Sequence, residues 1–272
     1  LKKNNINFHA LSKDELDIRD YENAKNLLFQ ISPDLIINCA AYTNVDKAEL
    51  EKELANDINN FGVKNLSKIS NKLNCTLVHF STDYVFNGSY NKKYTESDKT
   101  DPISYYGKTK LEGENQLVNL CNKYLILRVS WLFSEKRNNF VTFILNKLLK
   151  NEDIICVNDQ VGIPTCADDI SKFIFLYINM NIKHQNKQVY HFVNNGNEVS
   201  WYEFANKILT FFEKFTSTTS KIIPVTSNDF FKTNIRPQYS ALCNKKIQDN
   251  YNFKIDNWEK SLNETVNKFF KK

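Results

Sequence analysis

Glycine is scarce in this chain, which has only 6 in 272 residues, whereas soluble proteins contain about 7%. The first is Gly62, so no glycine-rich turn precedes it. Such a turn is the usual device for holding the phosphates of a dinucleotide at a helix amino terminus. The printed sequence therefore excludes that device from its first quarter.

Paired cysteines and long apolar runs are also missing. The six cysteines never form a C-x-x-C pair and lie mostly in apolar runs, which excludes a metal knuckle and favours a reduced, cytoplasmic compartment over a disulfide framework. No apolar stretch reaches 18 residues, so we expect no membrane-spanning helix. No internal repeat or low-complexity segment occurs.

Charge of one sign is not concentrated anywhere. The net charge is +5, but the lysines are scattered among acidic residues, which argues against a nucleic-acid-binding face and permits a small anionic substrate. Hydrophobic residues make up 42% of the chain, enough for a substantial core. The length predicts one large domain or two intimately packed ones.

Short apolar runs alternate with helical patterns, which predicts an α/β fold with a parallel sheet covered on both faces. The final third is polar and irregular, which suits a smaller domain beside the main sheet. Predicted strands are Ile6–Leu11, Asp34–Cys39, Thr76–Ser81, Tyr124–Val129, Ile154–Val157 and Gln188–Val193. Predicted helices are Tyr21–Gln30, Glu49–Asn71, Ser104–Cys121, Phe140–Lys150 and a helix from the capping box at Ser200 to Phe212.

Three segments follow the carboxyl ends of predicted strands: Cys39–Asp46, Ser81–Gly88 and Ser130–Phe133. In open α/β sheets, ligands bind beyond these ends. We therefore expect the three segments to line one cleft.

Tyr106 and Lys110 lie four residues apart on a predicted helix, so their side chains share one face. A nearby ammonium lowers the pKa of a phenol, normally about 10, which would make Tyr106 a proton donor or acceptor near neutral pH. The spacing alone is not specific, because Tyr21 and Lys25 repeat it on a helix whose face is better explained as solvated. The hydroxyl of Thr82 at a strand end, 24 residues upstream, distinguishes the Tyr106 pair.

A strand-end hydroxyl followed by Tyr-x-x-x-Lys on the next helix resembles the catalytic triad of short-chain dehydrogenase/reductases. Longer segments, in order along nearly the whole chain, are similar to the dTDP-4-dehydrorhamnose reductases. These are Asn38–Glu49 (NCAAYTNVDKAE), Ser81–Gly88 (STDYVFNG), Tyr106–Glu114 (YGKTKLEGE), Leu127–Trp131 (LRVSW), Asp159–Thr165 (DQVGIPT) and Arg236–Ser240 (RPQYS).

The resemblance implies a Rossmann-like, doubly wound parallel sheet with a smaller α/β substrate domain. The implied division is a cofactor-binding domain over residues 1–130, to which 167–196 return, and a substrate-binding domain over 131–166 and 197–272. The family begins with a strand, a glycine-rich turn and a helix that this sequence does not contain. We therefore expect the first strand to be missing, Leu1 not to be the natural start, and the chain to be inactive alone if it is such a fragment.

The resemblance also implies a mechanism: NAD(P)H-dependent reduction of dTDP-4-dehydro-6-deoxy-L-mannose to dTDP-L-rhamnose, a step of surface-polysaccharide biosynthesis. Lys110 would bind the nicotinamide ribose and lower the pKa of Tyr106. Tyr106 would protonate the 4-keto oxygen, and Thr82 would hold that oxygen. Related 4,6-dehydratases read T-D-E after the strand, whereas Tyr84 stands where the Glu would be, which favours simple reduction.

Further residues have implied contacts. Asp83, Trp131 and Arg236 would contact the nucleotide sugar, although Trp131 is also explained as a core aromatic and Arg236 as part of an Arg–Pro turn. The cofactor would be bound by Tyr106 and Lys110 and by Asp17, Ile18, Ala40, Ala41, Thr43 and Phe80. Ser12-Lys13 near the end of the family's second strand favours NADPH over NADH, although Asp14 and Glu15 follow.

A second hypothesis is a non-catalytic regulatory subunit, because the regulatory subunit of methionine adenosyltransferase resembles the same family. The intact Thr82, Tyr106 and Lys110 favour the enzyme, and the missing phosphate loop favours the regulatory protein. Some family members use Mg²⁺ or form homodimers, but no ligand cluster in this sequence supports the metal. We expect a small-molecule nucleotide-sugar partner, and neither nucleic acid nor membrane.

Overall fold

The computed structural model of the chain describes residues 6–180, 187–231 and 236–271; Leu1 lies outside them. The helices are α1 (Tyr21–Ile31), α2 (Val45–Ala48), α3 (Lys52–Asn56), α4 (Val63–Leu73), α5 (Tyr105–Leu120), α6 (Phe140–Leu149), α7 (Ala167–Asn179), α8 (Trp201–Phe212), α9 (Ser227–Phe230), α10 (Lys245–Tyr251) and α11 (Trp258–Phe270). The strands are β1 (Leu35–Asn38), β2 (Thr76–Thr82), β3 (Tyr124–Val129), β4 (Leu132–Phe133), β5 (Ile154–Val157), β6 (Val161–Gly162), β7 (Thr165–Cys166), β8 (Gln188–His191), β9 (Val199–Ser200) and β10 (Ile222–Val225).

The main sheet has four strands in the order β1-β2-β3-β8. Strands β1 and β2 are parallel, with Leu35 opposite Thr76 and Asn38 opposite His79. All six residues of β3 are buried, as expected for a strand covered on both faces. The structure thus confirms the predicted α/β fold.

The chain divides into two compact units. The first comprises residues 1–85, 100–128 and 174–190, and the second comprises 86–99, 129–173 and 191–272.

The core of the first unit forms where helices cover the sheet. On α4, Val63, Leu66 and Ile69 recur at helical spacing and are fully or almost fully buried. They belong to one apolar cluster with Leu77 of β2 and Ile126 of β3. This packing fixes the strand from which Thr82 emerges.

The predicted helix over Glu49–Asn71 is interrupted. Between α3 and α4 the backbone forms a π-helical segment, Asp57–Gly62, a distortion that often marks functional regions. Gly62, the last residue of this segment, is closely packed, since a Cβ at this position would lie 2.6 Å from the side chain of Ile18.

Two predictions were wrong. Ile6–Leu11 is not a strand, because its backbone has no ladder partner among the described residues, and alternation of side chains alone does not make one. The last third is not irregular, since it contains α10 and the 13-residue α11. Trp258, Leu262 and Val266, each four residues apart, give α11 a buried stripe.

The second unit contains three two-stranded ladders, β4 with β7, β5 with β10 and β6 with β9. Helix α8 begins at the predicted capping box. The side chain of Ser200 accepts from the backbone N–H of Glu203, and the side chain of Glu203 accepts from the backbone N–H of Ser200. Across the described ranges, no helix has the length and apolar character needed to span a bilayer.

Candidate active site

Thr82 ends β2 with a buried hydroxyl. This hydroxyl donates to Oδ1 of Asp83 at 3.0 Å and accepts from the backbone N–H of Tyr84 at 3.2 Å. The same hydroxyl lowers the pKa of Tyr106 in part. The two hydroxyls predicted to work together therefore lie near each other.

Helix α5 brings Tyr106 to this point. Ser104 caps the helix by accepting from the N–H of Gly107 at 3.0 Å. The absence of a side chain at Gly107 lets the helix approach the backbone of Tyr84, since a Cβ would lie 2.2 Å from the Tyr84 carbonyl oxygen. The rings of Tyr84 and Tyr106 then pack edge to face, with centroids 5.7 Å apart.

The electrostatics of Tyr106 differ from the sequence-based expectation. Burial raises the pKa of Tyr106 to about 12, the hydrogen bond from Thr82 lowers it in part, and the charge of Asp83 raises it further. The expectation that the pKa of Tyr106 falls towards neutrality is wrong for this arrangement, because burial outweighs the lowering contribution of Thr82. Tyr106 is a protonated acid at neutral pH, the state needed to donate a proton.

Lys110 lies one turn further along α5 and is 2% exposed. Its Nζ donates to the carbonyl oxygen of Phe80 at 2.6 Å and lies 3.5 Å from Nε2 of His79. Burial lowers the pKa of Lys110 to about 8, against the opposing charge of Glu114. The lysine is therefore held by β2, the strand that ends at Thr82.

The segment after β1 carries three predicted cofactor residues, Ala40, Ala41 and Thr43. Ala40 and Thr43 are exposed and Ala41 is half-buried. Asn59 pins the segment at Tyr42, accepting from its N–H at 2.9 Å and donating to its carbonyl at 3.0 Å. The small side chains therefore lie on a backbone whose position is fixed.

Asp17 and Ile18 face different surroundings. The guanidinium of Arg19 donates to Asp17, with Nε to Oδ1 at 2.9 Å, and lowers the pKa of Asp17 to about 2. The side chain of Ile18 is buried in the core cluster against Gly62. Its carbonyl accepts from Asn65 at 3.0 Å.

In the second unit, Trp131 follows β3 with φ 47°, a left-handed conformation uncommon outside glycine. Its ring stacks on Trp201, with centroids 3.6 Å apart and planes inclined by 8°. A Cβ at Gly162 would lie 2.6 to 2.9 Å from three adjacent indole atoms. Gly162 and Trp201 therefore both pack closely against the indole of Trp131.

Arg236 is half-buried, and its guanidinium lies 4.0 Å from the centroid of the Phe231 ring, a cation–π contact. Pro237 packs against Gly88, where a Cβ would come within 2.5 Å. The Arg–Pro segment is thus anchored by packing, as its structural interpretation expects.

Sequence reasoning missed the polar groups behind the site. Asn38 and His79 are buried register partners on β1 and β2, and Glu114 forms a buried pair with Arg128, Nη2 to Oε2 at 2.7 Å. The sequence feature that could have revealed them is a polar residue within an apolar strand, because a buried polar side chain needs a buried hydrogen-bonding partner. Across the described ranges, no group of three or more His, Cys, Asp or Glu side chains could hold a metal ion.

Comparison with known proteins places this arrangement in a family. The model of the RmlD substrate binding domain matches residues 1–270. A dTDP-4-dehydrorhamnose reductase from Aggregatibacter actinomycetemcomitans is 38% identical over 93% of this chain and 87% of its own length. An Escherichia coli K12 protein of the same name is 33% identical over 93% of this chain and 86% of its own length.

A solved structure agrees. The dTDP-4-dehydrorhamnose reductase of Bacillus anthracis, in complex with NADP, superposes with a TM-score of 0.90 at 33% identity, covering 98% of this chain and 93% of that one. The fold is therefore that of the Rossmann-like reductases. The chain belongs to the RmlD substrate binding domain family, the family of the dTDP-4-dehydrorhamnose reductases.

Proposed function

We propose that this chain is an NAD(P)H-dependent reductase that converts dTDP-4-dehydro-6-deoxy-L-mannose to dTDP-L-rhamnose for surface-polysaccharide biosynthesis. The observation that carries the proposal is the hydroxyl pair of Thr82 and Tyr106 with Lys110 one turn away, in a member of this family. The curated relatives are named as reductases, which supports the enzyme over a regulatory subunit.

Tyr106 is the proposed acid. Because its pKa is raised to about 12, it carries its proton throughout the neutral range and can deliver it to the 4-keto oxygen as that oxygen gains charge. Thr82 lies near Tyr106 and would hold the same oxygen. Asp83, at the same strand end, raises the energy of the phenolate, which keeps Tyr106 in its protonated form.

The nicotinamide cofactor supplies the hydride that reduces the sugar carbon. The residues present fit its nicotinamide ribose: Lys110 is fixed to Phe80 through one N–H, which leaves further donors on the same nitrogen for hydroxyl groups. Ala40, Ala41 and Thr43 offer small side chains on a pinned segment for the rest of the molecule. The printed sequence contains no glycine-rich turn for the pyrophosphate.

We favour NADPH as the cofactor. Asp17, which would otherwise repel a 2′-phosphate, is neutralised by Arg19, and Lys13 lies nearby in the sequence. An acid free to bind a ribose 2′-hydroxyl would favour NADH instead.

Substrate contacts are proposed for Asp83, Trp131 and Arg236. Arg236 suits a pyrophosphate because its planar fork matches phosphate oxygens. We propose that residues 1–130 with 167–196 bind the cofactor and that 131–166 with 197–272 bind the substrate. Six free cysteines support a reduced cytoplasm, and homodimer formation stays a prediction to be measured by sedimentation.

The test is an assay of purified protein with the keto sugar nucleotide and NADPH, following the absorbance of the reduced cofactor and the sugar product. We expect dTDP-L-rhamnose and NADP⁺ in equal amounts. Neither product from a folded, cofactor-binding protein would defeat the proposal.

A further inference from the structure

A buried polar chain runs from β1 through β2 to α5. Asn38 and His79 are register partners, so their side chains share a face of the sheet. Nδ2 of Asn38 lies 3.1 Å from Nδ1 of His79, and Nε2 of His79 lies 3.5 Å from Nζ of Lys110, at the long end of hydrogen bonding. All three residues are buried.

The orientation of the Asn38 amide is determined by its other partner. The backbone N–H of Ala40 donates to Oδ1 of Asn38 at 3.0 Å, so the oxygen faces Ala40 and the nitrogen faces His79. An amide nitrogen only donates, and Nδ1 of His79 must therefore accept.

These contacts also determine which ring nitrogen of His79 carries its proton. Burial, and next the charge of Lys110, lower the pKa of His79 well below its usual range, so the ring is neutral. A neutral imidazole whose Nδ1 accepts carries its proton on Nε2, which faces Lys110. An ammonium group has no lone pair to receive that N–H, whereas a neutral amine has one.

We propose that His79 is a positioning residue for Lys110: Asn38 fixes its Nε2–H tautomer, and this N–H is directed at the lysine nitrogen and selects the neutral amine. The carbonyl of Phe80 accepts a hydrogen from the same nitrogen, so two bonds set the orientation of the amine form. The functional meaning rests on the proposed function, in which Lys110 is the catalytic lysine.

Burial is the largest influence on the charge state of Lys110. Glu114, one turn along α5, favours the ammonium form, but its carboxylate is paired with Arg128 on β3. Asp83 and Tyr106 lie at the end of β2 and the start of α5. With burial acting in the same direction as His79, amine and ammonium exchange near pH 8.

This exchange has a consequence for turnover. Once Tyr106 has given up its proton, a nearby ammonium stabilises the phenolate and an amine does not. His79 therefore sets the pH above which reduction slows.

The first test is nuclear magnetic resonance of the chain labelled with ¹⁵N-histidine, which reports the tautomer without any turnover. We expect the His79 signals of a proton on Nε2 and none on Nδ1 at neutral pH. A proton on Nδ1, or an imidazolium ring, would overturn the proposal whether or not the protein is a reductase.

The second test uses Asn38→Asp, whose carboxylate accepts from Nδ1–H and turns Nε2 into an acceptor. We expect the pKa of Lys110 to rise by ~1 unit, read from the lysine ¹³Cε signal that disappears in Lys110→Met. Asn44→Asp, at the exposed cap of α2, adds the same charge away from His79 and is the control. Equal shifts of the Lys110 pKa in both variants would refute the proposal. If Asn38→Asp does not fold, the tautomer of His79 measured in the native chain tests the proposal by itself.

Discussion

The backbone of Tyr84 occupies the space that a side chain at position 107 would need: a Cβ on Gly107 would lie 2.2 Å from the Tyr84 carbonyl oxygen. The start of α5 can therefore approach the end of β2 closely enough for Tyr106 to reach Thr82. The glycine directly before the middle residue of Y-G-K-T-K is thus a requirement of the site's geometry.

Gly107→Ala should push α5 away from β2. Because the obstacle is backbone and cannot rotate aside, we expect a loss of about 1–3 kcal/mol in the free energy of unfolding and a larger proportional loss of turnover. Urea unfolding and steady-state kinetics measure the two effects. Lys108→Ala, at the exposed neighbouring position, is the control, and similar losses in both variants would contradict the explanation.

Lys110→Met should stabilise the protein at neutral pH while abolishing reduction. The lysine is buried with its pKa lowered from 10.5 to about 8, so its charge destabilises the fold fully below pH 8, and the penalty disappears as the pH rises towards 10.5. The lowered pKa corresponds to a destabilisation of about 3 kcal/mol, which Lys110→Met removes. The same variant leaves the Phe80 carbonyl without its donor, which costs about 1–2 kcal/mol of this gain.

We therefore expect Lys110→Met to be more stable than the native chain at neutral pH, by about 1–2 kcal/mol, with the advantage shrinking from pH 8 to 10. Chemical unfolding over that range measures it. The comparison stops at pH 10, because unfolded tyrosine ionises from about that pH. The pKa of Tyr106 in the folded chain is raised to about 12, so the stability that its buried phenol contributes is lost above pH 10. A pH-independent difference would rule out the buried ammonium as its cause.

Glu114 and Arg128 should depend strongly on each other. Both side chains are buried and joined by Nε–Oε1 and Nη2–Oε2 bonds of 3.0 and 2.7 Å. Glu114→Ala leaves a buried guanidinium without its carboxylate and should cost about 3–5 kcal/mol of stability. The double variant Glu114→Leu/Arg128→Met should recover most of it, and a double variant as unstable as the single one would disprove this account.

Gly162→Ala should separate Trp131 from Trp201. The added methyl would stand 2.6 Å from Cε2 of Trp131, and the ring has no room to retreat while stacked at 3.6 Å. We expect the near-ultraviolet exciton signal of the stacked indoles to weaken and the KM for the nucleotide sugar to rise with little change in kcat. Trp201→Phe is the companion, since it removes the exciton pair but keeps an aromatic surface under Trp131.

The sequence was sufficient where the deciding interactions are local. Continuous apolar runs located β2 and β3, and the capping box at Ser200 located the start of α8. The stripe of α11 was visible in the same way and was overlooked.

Other features depend on register and approach between distant segments. The pairing of Asn38 with His79 needs the alignment of β1 and β2, and the enclosure of Trp131 needs Gly162, 31 positions away. The raised pKa of Tyr106 reflects the depth at which α5 packs, which no spacing rule states. The candidate site itself was found through family resemblance, because Y-x-x-x-K alone occurs also at Tyr21.

The central claim is that Tyr106 is the acid of a reductase, and comparing Tyr106→Phe with Tyr84→Phe tests it most directly. The two tyrosines pack edge to face, so both variants disturb the same packing while only Tyr106→Phe removes the hydroxyl near Thr82. The account predicts that Tyr106→Phe lowers kcat for reduction of the 4-keto sugar nucleotide by about 10²–10⁴-fold, with cofactor binding retained, and that Tyr84→Phe stays near the native rate. Equal rates in the two variants would contradict it.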